Sequence, residues 1–103
     1  MVEIQWLSDK IKDEIHDAKD YAKTAIEWKE EFPEIARDLY NISLDEMKHM
    51  GMLHDAVAKM IEKYRKEEGE PPADMMARYE YLHKIHIDKA MKAKTFQTMF
   101  KEG

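Results

Sequence analysis

The chain contains no cysteine. Disulfides, thiolate metal sites and cysteine nucleophiles are removed together. Glycine and proline are scarce, three of each in 103 residues, which leaves few places to break a regular element. Valine occurs only as Val2 and Val57, so the β-branched side chains that favour strands are thin. Long apolar runs are missing as well. A membrane span needs about 20 apolar residues and a signal-peptide core about 7–15, and the runs here are only a few residues long. A cytoplasmic protein with no membrane partner is therefore expected. Nor is there a surplus of positive charge: 17 Lys+Arg stand against 22 Asp+Glu, a net −5, with both signs interspersed. A nucleic-acid footprint needs a basic stripe, so no nucleic-acid partner is expected.

What remains is helix chemistry. Apolar residues make up 44% and charged residues 38%, and Glu, Lys, Ala, Met, Leu and Asp dominate. The breakers Pro33 and Gly69-Glu70-Pro71-Pro72 cut the chain into helices over about 5–31, 33–66 and 72–100. Pro33 suits the first turn of the second helix, and Glu34 behind it favours the positive end of the dipole. Gly51 falls inside that helix, where it marks a slight bend or costs about 1 kcal/mol of propensity. Short connections make neighbours antiparallel, so residues 1–103 form one all-α domain, an antiparallel up-down three-helix bundle.

At about 100° per residue each helix shows an apolar stripe. The first collects Ile4, Leu7, Ile11, Ile15, Ala18, Ala22 and Ala25. The second collects Ile35, Leu39, Ile42, Met50, Leu53, Val57, Met60 and Tyr64. The third collects Met75, Tyr79, Leu82, Ala90, Ala93, Phe96 and Phe100.

Polar residues that interrupt these stripes are the informative ones. Glu46 sits near the centre of the second stripe, and His49 at its edge. Glu14 lies on the apolar side of the first helix, and His86 is near the centre of the third stripe. An ionised carboxylate in such a place must be neutralised, hydrogen-bonded or bound to a cation. One metal ion satisfies two carboxylates and an imidazole together. Residues three apart share a helix face, so Glu46 and His49 can reach the same ion. The Glu-x-x-His pattern alone is weak, since roughly 0.6 matches are expected by chance at this composition. Two occur, Glu46–His49 and Glu80–His83, and only the first lies on a core stripe, with Glu14 upstream on a neighbouring helix. Helix levels put the position opposite Glu46 and His49 at about 90–93 on the third helix, so His86 stands about 6–10 Å off level as a candidate ligand.

The run from Glu14-Ile-His-Asp-Ala-Lys-Asp-Tyr-Ala to Pro-Glu-Ile-Ala-Arg-Asp-Leu-Tyr-Asn-Ile-Ser-Leu-Asp-Glu-Met-Lys-His49 resembles a half-bundle of the rubrerythrin and ferritin-like superfamily. The likeness covers about residues 10–57. It implies that Glu14, Glu46 and His49 bind iron, possible as a di-iron centre, with manganese or zinc as further candidates, and that Tyr21 lies near. It also implies iron oxidation, iron storage or peroxide chemistry. The family supplies four helices and a second ligand set, whereas three helices fit here, and the absence of Cys-x-x-Cys excludes a complete rubrerythrin. A homodimer that completes the bundle is therefore expected, and the apolar Met76, Ile87 and Met91 outside the third stripe agree with it. The other class of reading is a non-catalytic structural or adaptor module in which Glu46 and His49 form a buried polar pair. Met47, Met50 and Met52 are read as adaptable core filling, Tyr79 and Trp28 as margin residues. His16 and His54 fall off the stripes and receive no role.

Overall fold

A computed structural model describes residues 2–103. They form α1 (Val2–Trp28), α2 (Pro33–Glu68) and α3 (Ala73–Glu102), with no strand among the described residues. The molecule measures 56 × 19 × 18 Å, and its length is that of α2, since 36 residues rise about 54 Å.

The helix ends differ slightly from the sequence expectation. α1 begins at Val2 because nothing before Gln5 breaks it. It stops at Trp28, and residues 29–32 make the reversal into Pro33: Phe32, the residue before the proline, leaves helical geometry at φ −131° and ψ 67°, while its amide donates to the Trp28 carbonyl at 2.8 Å. α2 runs unbroken through Gly51 to Glu68. It is closed by Gly69, whose φ of +88° is cheap only without a Cβ.

α1 is the central element: both other helices pack on it, while α2 and α3 touch each other sparsely. Its expected stripe, Ile4 through Ala25, is buried throughout. The buried positions repeat by sevens. Ile4, Ile11, Ala18 and Ala25 form one row, and Ala36, Ser43 and Val57 continue it on α2, with half-buried Met50 between. His86, Ala93 and Phe100 do the same on α3. A repeat of 3.5 rather than 3.6 residues per turn marks helices wound left-handedly about one another. That winding corrects the α2 stripe. Ile35 and Ile42, expected in the core, are 49% and 37% exposed, while Ala36, Ser43 and Ile61 are buried in their place.

The core is graded along its length. Ile4, Leu7, Ile11, Ile15, Val57 and Ile61 form one cluster with Met47, Met60 and Tyr79 at its margin. Burying each such aliphatic side chain is worth roughly 1.5–3 kcal/mol. Toward the α1–α2 turn the seam narrows to Ala18, Ala22, Ala25 and Ala36, all fully buried. Two polar devices hold the narrow end. The Ser43 hydroxyl donates to the Ala18 carbonyl at 2.6 Å and accepts from the Gln97 amide at 2.8 Å, so one side chain joins all three helices. Lys29 donates to the Phe100 carbonyl at 2.6 Å and lies 4.8 Å from the centre of its ring. It thereby caps the negative end of α3, while Tyr40 stacks on the same ring at 4.7 Å.

Candidate metal centre

Glu14 is placed by the middle of α1, at the edge of the buried stripe that Ile11, Ile15 and Ala18 form on one side of it. Glu46 and His49 come from one face of α2, one turn apart. Partners across the two helices run in opposite numerical order, Ala18 with Ser43 and Glu14 with His49, and this register sets both carboxylates at one level. One ligand atom from each of Glu14, Glu46 and His49 lies within 4.8 Å of the others. Two atoms bound to one ion at about 2.0–2.3 Å are separated by no more than about 4.6 Å, so a small closure brings all three onto a common centre.

Negative charge is concentrated here. Glu14 Oε2 is buried and has no hydrogen-bond donor; His49 Nδ1 lies 3.4 Å away. Hydrogen bonding to Glu14 pushes the Glu46 carboxyl up from its usual 4.5 to about 7, and burial and the negative charges of Glu14 and Asp17 add to it, while His49 opposes the rise. A proton shared by the two facing carboxyl groups offsets their repulsion, and a divalent cation bound here would take its place and give Oε2 a partner. The donor set, two carboxylates and one imidazole, suits iron, manganese and zinc.

The centre opens to solvent. The His49 side chain is 54% exposed and that of Glu14 25%. It lies on the flank of α1 away from α3, because Lys12, His16 and Lys19 line the cleft that α1 makes with Lys89 and Lys92. Seven-residue steps from Glu14 reach Tyr21 and Trp28 on α1, and from His49 they reach Ile42 and Ile35 on α2. Three of these four, Trp28, Ile35 and Ile42, are exposed large apolar residues. Tyr21 is half-buried on that line and is not one of the three converging groups.

His86 is not gathered into the centre. It is buried on α3, and the register of Ser43 with Gln97 and of His54 with His83 sets it nearer His54 than Glu46. Burial lowers its pKa, and the charges of His83, Lys89, His54 and Lys12 push it the same way. Glu80 is exposed, and His83 turns to His54 rather than to the carboxylates. Met47 and Met50 are half-buried and Met52 is exposed. His16 pairs with Asp20 on the surface at 3.1 Å.

Two arrangements escaped the stripe reading: the Ser43–Gln97 bond and the His54–His83 pair. For the second the signal was coarse, since His54 lies 15 residues before Gly69 and His83 lies 11 after Pro72, a mismatch of four residues or about 6 Å along the helices. No family model, no curated protein and no solved structure matches the chain, so the reading of this centre rests on its own residues.

Proposed function

We propose that this chain is a ferritin-like metal-binding protein in which Glu14, Glu46 and His49 hold iron or manganese. The observation that carries the reading is the buried, donorless Glu14 Oε2 beside a second carboxyl group and an imidazole. When bound, iron supplies one-electron chemistry toward oxygen or peroxide. Glu14, fixed by its packed helix, sets the depth of the ion. Glu46 releases a proton on binding, and His49 provides the neutral nitrogen ligand from the open side.

The paired positions along the helices support an antiparallel up-down arrangement. The reading includes a two-fold dimer. A second copy laid over the open flank covers Trp28, Ile35 and Ile42 and sets its own Glu14, Glu46 and His49 against the first set, which makes a two-ion site from two half-sites. The sparse contact between α2 and α3 and exposed Met91 leave a further surface for association.

The test is anaerobic titration of Fe²⁺ or Mn²⁺ into protein purified without a histidine tag, with sedimentation in parallel. Binding is expected in the native chain and lost in Glu14→Ala and Glu46→Ala. Metal content unchanged in both variants would overturn the reading and leave a structural polar pair. A monodisperse 12.3 kDa species in the presence of metal would overturn the shared site alone.

A further inference from the structure

Four of the five histidines take no part in the carboxylate centre, and three of them, His54, His83 and His86, gather away from it on α2 and α3. His54 comes from α2 and His83 from α3, two helices that otherwise touch sparsely. Their Nε2 and Nδ1 atoms are 2.8 Å apart. Both rings are half-buried, and the Tyr79 ring lies nearly parallel to that of His83, tilted 17° at 6.0 Å, which fixes its orientation. His86, three residues beyond His83 on the same face, is buried and close enough for both imidazoles to act on its protonation.

We propose that His54 and His83 form a second metal site, an imidazole pair that bridges α2 and α3 and takes Cu²⁺ or Zn²⁺ independently of Glu14, Glu46 and His49. The separation fits. Two nitrogens bound at about 2.0–2.1 Å on adjacent positions of one ion lie about 2.8–3.0 Å apart, and a tetrahedral ion opens this by only a few tenths of an ångström. The ring centres are only 4.4 Å apart and the planes tilt by 39°. The rings thus lean over one another instead of lying end to end, whereas a strong N–H···N bond prefers a straight approach. The chemistry balances without an added reagent. In the apo pair one imidazole N–H donates to the other ring. On binding, the hydrogen on His54 Nε2 or on His83 Nδ1 shifts to the other nitrogen of the same ring. Two neutral imidazoles then each offer a lone pair to the ion, and no net proton is released. Water fills the remaining positions, with His86 the nearest further imidazole on α3.

Ligand type separates the two sites. Nitrogen ligands favour copper over zinc and both over manganese, whereas carboxylates accept manganese readily. An ion here would also close α2 onto α3, where few direct contacts do so, and would stabilise the fold by binding only the folded register.

The experiment uses untagged, full-length protein carrying Glu14→Ala and Glu46→Ala, with the native chain alongside. Cu²⁺ is added at neutral pH and followed by electron paramagnetic resonance, and Zn²⁺ by calorimetry. The expected result is one tightly held ion per chain with coupling to two nitrogens. Adding His83→Phe, which keeps a ring against Tyr79, or His54→Gln should weaken it at least tenfold. A spectrum with one nitrogen in the carboxylate-free variant, or affinity unchanged within twofold in either histidine variant, would overturn the proposal. Should the triple variants melt early, the native chain decides with His54→Gln alone: loss of the two-nitrogen signal supports the pair, and its persistence refutes it. Failure of the carboxylate centre is read separately, from Mn²⁺ binding in the glutamate variants.

Discussion

His49 Nδ1 stands 3.4 Å from Glu14 Oε2, across two helices and with a carboxylate oxygen that no other group in the described chain serves. An unserved buried oxygen is costly, on the order of 1–3 kcal/mol or more when charged, so an ion at this place relieves a real debt in the metal-free protein. The native chain should melt higher as Mn²⁺ is raised, with a gain of about 2.7 kcal/mol at one hundred times the dissociation constant. Glu46→Ala should abolish the metal-dependent part of that shift. Differential scanning calorimetry with and without chelator measures it.

The metal-free protein should lose stability as pH rises from about 5 to about 7. Glu46 titrates near 7 in the folded chain against a usual 4.5, so between those values the folded state keeps a proton that the unfolded state has released. The unfolded state binds fewer protons there, and stability therefore falls with pH until the folded carboxyl has also ionised, then levels off. Glu46→Gln should flatten this part of the profile. Mn²⁺ should reverse it, because binding needs both carboxylates deprotonated. Melting temperatures from pH 5 to 8, native against Glu46→Gln, give the answer by difference.

Ser43→Ala should destabilise by about 1–3 kcal/mol, because it removes two hydrogen bonds and strands the buried Gln97 amide. Pairing it with Gln97→Leu should cost less than Ser43→Ala alone, since no donor is then left unserved. Urea unfolding of the single and double variants distinguishes these. Equal or greater loss in the double variant would show that the amide was satisfied elsewhere.

Gly51→Ala should raise stability by up to about 1 kcal/mol. The helix is continuous at this position, and a Cβ built there meets nothing within 4 Å, so only the gain in helix propensity remains. A loss of stability in thermal unfolding would mean that another surface covers this face in solution.

Ala22→Leu should be strongly destabilising, by about 1–3 kcal/mol or more, because Ala22 is fully buried in a seam of small residues. The same substitution at exposed Lys23 should be nearly neutral. Chemical denaturation of the two variants provides the comparison.

The all-helical class, the three elements and, Ser8 apart, the buried face of α1 were legible from residue order. Breakers and apolar spacing are local properties, and α1 has neighbours enough to bury every residue of its stripe. The convergence of Glu14, Glu46 and His49 was legible for a related reason: one short turn joins their helices, so counting residues from Pro33 sets their levels. The tertiary structure decided the rest. Winding at 3.5 residues per turn rotated the buried line of α2 from Ile35 and Ile42 to Ala36 and Ser43, which no single helix can reveal. His54 and His83 meet through the register of α3 on α2, which counting residues from the turn fixes only to within about one helical turn. The orphaned oxygen of Glu14 is likewise a property of what surrounds it. Periodicity tells which side of a helix leaves water, and only packing tells which polar atoms on that side are left without a partner.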